Sequence, residues 1–98
     1  MRMDRDQSRQ EAIDRLDELE QLLRRERDPP IAALVEECEQ LKRSVKAFHM
    51  EAIRFRIYSL ERKLTDPASR APARARTLIN AARAALEAAG FQTKSIDR

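Results

Sequence analysis

His49 is the only histidine of the 98-residue chain and Cys38 its only cysteine, so the side chains best suited to proton, phosphoryl or metal chemistry come one at a time. An isolated imidazole on a helical bundle can accept a phosphoryl group, as in histidine phosphotransfer domains, or titrate against a symmetry mate. The flanks of His49 are Phe48 and Met50, Arg54 is the one nearby cation on its C-terminal side, and no glycine follows. That setting suits packing better than phosphoryl transfer. Cys38 has no second cysteine with which to form an intrachain disulfide, and one Cys with one His falls short of a four-ligand zinc site. It reads as a small apolar core residue. Glu51 and Glu61 lie about three turns apart on a stretch rich in cations, where ion pairing suits them better than acid–base work. The Glu-x-x-His pattern of di-iron bundles is absent. No catalytic, cofactor or metal site is expected, and the protein is not expected to be an enzyme.

The basic residues of the C-terminal half are the strongest chemical lead. Arg62, Lys63, Arg70, Arg74, Arg76 and Arg83, with Lys94 beyond them, could meet phosphate backbones or an acidic partner. Against nucleic acid stand a net charge of only +3, the lack of aromatics interleaved with those arginines, and the lack of helix-turn-helix spacing. Charge runs on helices are usually solvated faces. An amphipathic contact with an anionic membrane is weaker still, because packing accounts better for the apolar stripes.

The elements that must carry these residues are helical. One Gly, four Pro and no Trp leave few of the turns that sheets require, whereas 15 Ala favour helix. Ser8 with Glu11 forms a capping-box pattern, so a first helix is predicted to begin there and run to about Arg27 on Ala12, Leu16, Leu19 and Leu23. Asp28-Pro29-Pro30 then supplies a cap and a first turn. No Gly or Pro interrupts the chain from Ile31 to Asp66, while Leu34, Cys38, Leu41, Val45, Phe48, Ala52 and Phe55 step by 3 or 4. A continuous second helix from Pro29 to Thr65 follows, about 55 Å long at about 1.5 Å per residue. From its midpoint a second stripe appears at Met50, Ile53, Ile57, Leu60 and Leu64. Asp66-Pro67 repeats the cap, and a third helix is predicted from Ala68 or Arg70 to Ala89, closed by a Schellman turn at Gly90 with Phe91 beyond it. Residues 1–7 and 92–98 read as frayed ends of one helical domain spanning 1–98.

The expected fold is therefore all-α, with three helices, short, long and short, forming two antiparallel hairpins on the shared long helix. Such a protomer is two helices thick and leaves the second stripe wet, so self-association is expected. Residues 1–41 carry 7 Arg against 12 Asp and Glu, and residues 42–98 carry 13 Lys and Arg against 5. Opposite halves favour an antiparallel two-fold that sets Glu36, Glu37 and Glu39 against Arg54, Arg56, Arg62 and Lys63 of the twin. The homodimer would be an elongated four-helix-bundle-like coiled coil whose core and interface take Leu41, Val45, Phe48, His49, Ala52, Ile53, Phe55 and Ile57. Function is then expected to be protein–protein interaction, as adaptor, scaffold or regulator. No stretch is apolar enough to insert in a membrane and the first residues lack a signal peptide's core, so a cytoplasmic protein is expected. The excess of Arg over Lys, with abundant Ala, hints at a GC-rich bacterial genome.

Overall fold

Asp4, rather than Ser8, opens the first helix: its carboxylate accepts from the Gln7 amide at 2.8 Å, and the Gln7 side chain accepts from the Asp4 amide at 3.2 Å. The computed structural model describes residues 4–26, 28–91 and 93. Helix α1 covers Arg5–Arg24, stopping before the expected Arg27, which lies outside the described residues. Asp caps at least as well as Ser, and the earlier start adds a turn that carries Arg5 to Gly90. Ser8 thereby falls inside the helix, fully buried, with no hydrogen-bond partner for its hydroxyl. Ser8→Ala removes that uncompensated group and is expected to raise stability by about 1 kcal/mol, read as a higher urea midpoint at unchanged slope.

The continuous helix predicted for Pro29–Thr65 is two helices, α2 (Pro29–Lys46) and α3 (Met50–Thr65). Between them Phe48 adopts φ 58°, the left-handed region that a bulky residue enters at a cost of about 1–2 kcal/mol. The His49 amide donates to the Ser44 carbonyl at 3.0 Å and the Phe48 amide to the Val45 carbonyl at 3.2 Å. This is a Schellman turn with phenylalanine in the glycine position. Reversal lets α3 lay its own stripe on the core, with Ile53, Ile57, Leu60 and Leu64 all buried. Each such side chain contributes about 1.5–3 kcal/mol on burial, so four outweigh one strained residue. The Phe48 ring recovers part of the cost, lying 6.0 Å from the Phe91 ring with the Arg9 guanidinium 4.4 Å above it.

A second reversal runs through a 3₁₀ turn, Pro67–Ser69, whose first amides are met by Asp66, accepting from the Ala68 amide at 2.9 Å. Arg70 takes φ 59°, and Pro72 precedes α4 (Ala73–Ala88), which starts later than the predicted Ala68 or Arg70. Gly90, at φ 96°, closes α4 as expected: the Phe91 amide donates to the Leu86 carbonyl at 2.9 Å and the Gly90 amide to that of Glu87 at 3.0 Å.

Each helix runs antiparallel to the one before it, and α1 closes the ring against α4. Ala75, Ala82 and Ala85 of α4, with Ala89 just beyond it, share the core with Leu16, Leu19 and Leu23 of α1, and small side chains suit the close packing of these two helices. The result measures 38 × 32 × 22 Å, too short for a 55 Å rod. Among the described residues all structure is helix or turn, and no helix is long and apolar enough to cross a membrane. The two-helix-thick protomer is thus corrected to four helices around one core. Of the stripe that called for a twin, Ile53, Ile57, Leu60 and Leu64 are covered by the chain itself and Met50 is exposed, because a sequence pattern cannot tell one helix with two faces from two helices with one each. Of the ends expected to fray, Arg5–Gln7 are helical, and Thr93 is buried with its hydroxyl donating to Glu87 at 2.7 Å. Residues 1–3, 92 and 94–98, Lys94 among them, lie outside the described residues.

Candidate functional site

Helix α3 presents four different faces, and the one turned outward is the candidate site. Its inward face is Ile53, Ile57, Leu60 and Leu64. Toward α2 it directs Arg56 to Gln40, Ser59 to Glu37 at 3.5 Å, and Lys63 to Glu37 at 2.6 Å. Toward α4 it directs Glu61, which Arg83 meets. Glu51, Phe55, Tyr58 and Arg62 form a further row, spaced by 4, 3 and 4 and all exposed. Phe55 is 63% exposed and Tyr58 44%, large apolar area to leave in water. An acidic residue stands at one end of this strip and a basic one at the other.

The expected interface residues divide. Leu41, Val45, Ile53 and Ile57 are fully buried in the core of the one chain, and Ala52 is half-buried. Phe48 is 56% exposed, and Phe55 and His49 are exposed as well, so the expected seam of Phe48, Ala52 and Phe55 is not one face of one helix. The charge pairing expected between twins occurs within the chain, where Glu37 of α2 meets Lys63 of α3. Nothing in the sequence short of locating the break at Phe48 could have pointed to Phe55 with Tyr58.

His49 borders a hollow of about 360 Å³ between α2 and α3, lined by Gln40, Arg43, Ser44, Ala47 and Arg56. Two guanidinium groups beside an exposed imidazole make a surface that can hold an anion. A second hollow, of about 440 Å³, lies between Pro30, Ala33 and Leu34 of α2 and the turn at Asp66, Ala68 and Ser69, with the Glu37–Lys63 pair on its wall. Among the described residues, no three His, Cys, Asp or Glu side chains gather as a metal site requires.

The basic group is dispersed. Lys63 is held on the α2–α3 seam, Arg83 on the α3–α4 seam, and Arg74 reaches Glu18 of α1 at 3.9 Å. Arg62, Arg70 and Arg76 are exposed.

The seam between α1 and α2 holds a denser ionic set. Lys42 bonds Asp17 and lies 2.8 Å from Glu20, while Arg24 reaches Glu20 at 2.7 Å and Glu39 at 3.2 Å. Burial pushes the Glu20 carboxyl up, but hydrogen bonds from Lys42 and then Arg24 outweigh it and leave the group below the ordinary carboxylate range. Beneath them burial, reinforced by the Glu20 charge, drives the Cys38 thiol up to about 12, so it stays protonated and inert as a nucleophile. No family model matches the chain, and no curated protein or solved structure is significantly similar to it.

Proposed function

We propose that this chain is a non-enzymatic helical-bundle protein that acts as an adaptor, scaffold or regulator by binding another protein through the outward face of α3. The observation that carries the reading is the exposure of Phe55 and Tyr58 together on one face of α3. The face fits an amphipathic helix lying antiparallel or parallel to α3, with aliphatic side chains against the two rings. Its ends want a cation opposite Glu51 and a carboxylate opposite Arg62. Exposed aromatic anchors of this kind supply much of the affinity of protein contacts.

Phe55→Ser combined with Tyr58→Ser tests it. The double variant is expected to melt within about 0.5 kcal/mol of the parent, since both positions are surface positions. With the two proteins as paired baits, a stoichiometric partner retained by the parent and lost from the variant supports the reading. Identical retention by both rejects it. Binding to arbitrary duplex DNA that weakens steeply with salt would favour the nucleic-acid reading instead, for which three of six basic residues are already engaged within the chain.

A second reading, phosphotransfer, is favoured by the exposed His49 ring beside Arg43 and Arg56. It requires an acid-labile label from a phosphoryl donor that disappears in His49→Gln; a chain that takes up no label dismisses it.

A further inference from the structure

We propose that the Ala47–His49 turn is a hinge that opens into continuous helix, and that the open chain exchanges its α3–α4 half with a second copy of itself to form a domain-swapped dimer. Three observations converge on this turn. Phe48 holds the left-handed position of a Schellman cap, the same position that Gly90 fills without strain at the end of α4. His49, in the capping position of α3, makes no side-chain bond to the helix amides that follow it. No Gly or Pro stands between Ile31 and Asp66 to prevent α2 and α3 from fusing. Fusion relaxes Phe48 and gives the first amides of α3 the carbonyls one turn back. The other non-glycine at positive φ, Arg70, has no such escape, because Pro67 and Pro72 bracket it.

The two halves meet over most of the core, α1 against α4 and α2 against α3, and all of that packing can be re-formed with a second copy. Lys42 to Asp17 and Glu20, and Arg24 to Glu39, tie α1 to α2; Arg83 to Glu61 ties α3 to α4. Of the contacts between halves, Glu37 with Lys63 and Gln40 with Arg56 are centred within two positions of residue 48, and Glu18 with Arg74 joins α1 to α4. An open chain therefore re-forms them with an inverted twin, Phe48 meeting its counterpart on the two-fold axis. The packing of α1 on α4 and of α2 on α3 is the same in both forms, and the change is confined to the pole where Phe48 meets Arg9 and Phe91. The balance is set by two relaxed hinges against the entropy of association, so the dimer is favoured by concentration. Short strained hinges are the usual site of such exchange. The inference stands apart from the role of Phe55 and Tyr58, whose face stays outward in both forms.

The test is zero-length carbodiimide cross-linking of protein refolded at high concentration from an equal mixture of ¹⁴N- and ¹⁵N-labelled chains, with mass measured in solution beforehand. Lys63 Nζ and Glu37 Oε2, 2.6 Å apart, are exposed enough to couple. The swap predicts a dimer whose Lys63–Glu37 peptide is mixed in label, while the Lys42–Asp17 peptide is not. Met50→Pro places proline in the first turn of α3, harmless to the closed hairpin and incompatible with fused helix; it should remain monomeric and fully folded. Phe48→Gly relaxes the closed turn and should lower the dimerisation constant about 30-fold, as two hinges open per dimer. A chain that stays monomeric at every concentration overturns the proposal. So does a dimer in which the Lys63–Glu37 peptide carries one label, or one that Met50→Pro leaves intact.

Discussion

Ile57→Asp is expected to abolish the folded state, whereas Phe55→Asp, two residues earlier on the same helix, is expected to leave it intact. Ile57 is fully buried in the core of the bundle, so an aspartate there loses about 1.5–3 kcal/mol of apolar burial. It also places an unpaired carboxylate in the core at a further cost of several kcal/mol. The sum reaches the total stability of about 5–15 kcal/mol that a domain of this kind possesses. Phe55 is 63% exposed, and a charge at that position stays in water. Circular dichroism should show a cooperative melt for Phe55→Asp and none for Ile57→Asp. The continuous-helix pattern makes the opposite forecast for Phe55, since it places that ring in a seam with Phe48. A folded Ile57→Asp beside an unfolded Phe55→Asp would therefore show that the helix break is misplaced.

The second large effect is at Lys42, which bridges Asp17 and Glu20 while its side chain is only 17% exposed. Lys42→Ala removes both bonds and leaves the Glu20 carboxylate, 11% exposed, with Arg24 as its remaining partner. A cost of about 2–3 kcal/mol follows, below that of a wholly buried pair because Arg24 still compensates. The pH dependence carries the signature. Glu20 has a lowered folded value, so its contribution is present above the unfolded value of 4.5 and lost as pH falls through the folded one. Lys42 is depressed by burial but raised further by its bonds to Asp17 and Glu20, so its contribution is present below 10.5 and lost as pH rises through the higher folded value. Stability from this cluster is thus flat between those limits and falls outside them. In Lys42→Ala the carboxyl no longer has its strongest counterweight to burial, and acid costs that variant less. Melting curves against pH should show parent and variant far apart at neutrality and converging in acid; a constant gap would remove Lys42 from the account of Glu20.

Helical class, the reversals at Asp28-Pro29 and Asp66-Pro67, and the closing turn at Gly90 were legible because each depends on residues within a few positions. The break at Phe48 was not. A chain ordinarily marks such a stop with glycine, and here an aromatic ring takes the position because Phe91 and Arg9, far away in sequence, receive it. Missing that one residue turned four helices into three and made a second core face look like a wet one. The same miss hid the outward strip of Phe55 and Tyr58, since which side of α3 faces water is set by where the helix begins and what it folds against. The start at Asp4 is hidden for a different reason: Ser8 with Glu11 is a cap of the same kind, and Arg5, which the longer helix sets beside Gly90, is far from it in sequence.

Arg9, Phe48 and Phe91 meet at one pole of the bundle, where the first helix starts, the middle turn reverses and the last helix stops. The latch on the middle turn is therefore built from the first and last helices of the bundle. Anything that displaces Arg9 or Phe91 reaches the midpoint directly, with no signal needing to cross the core.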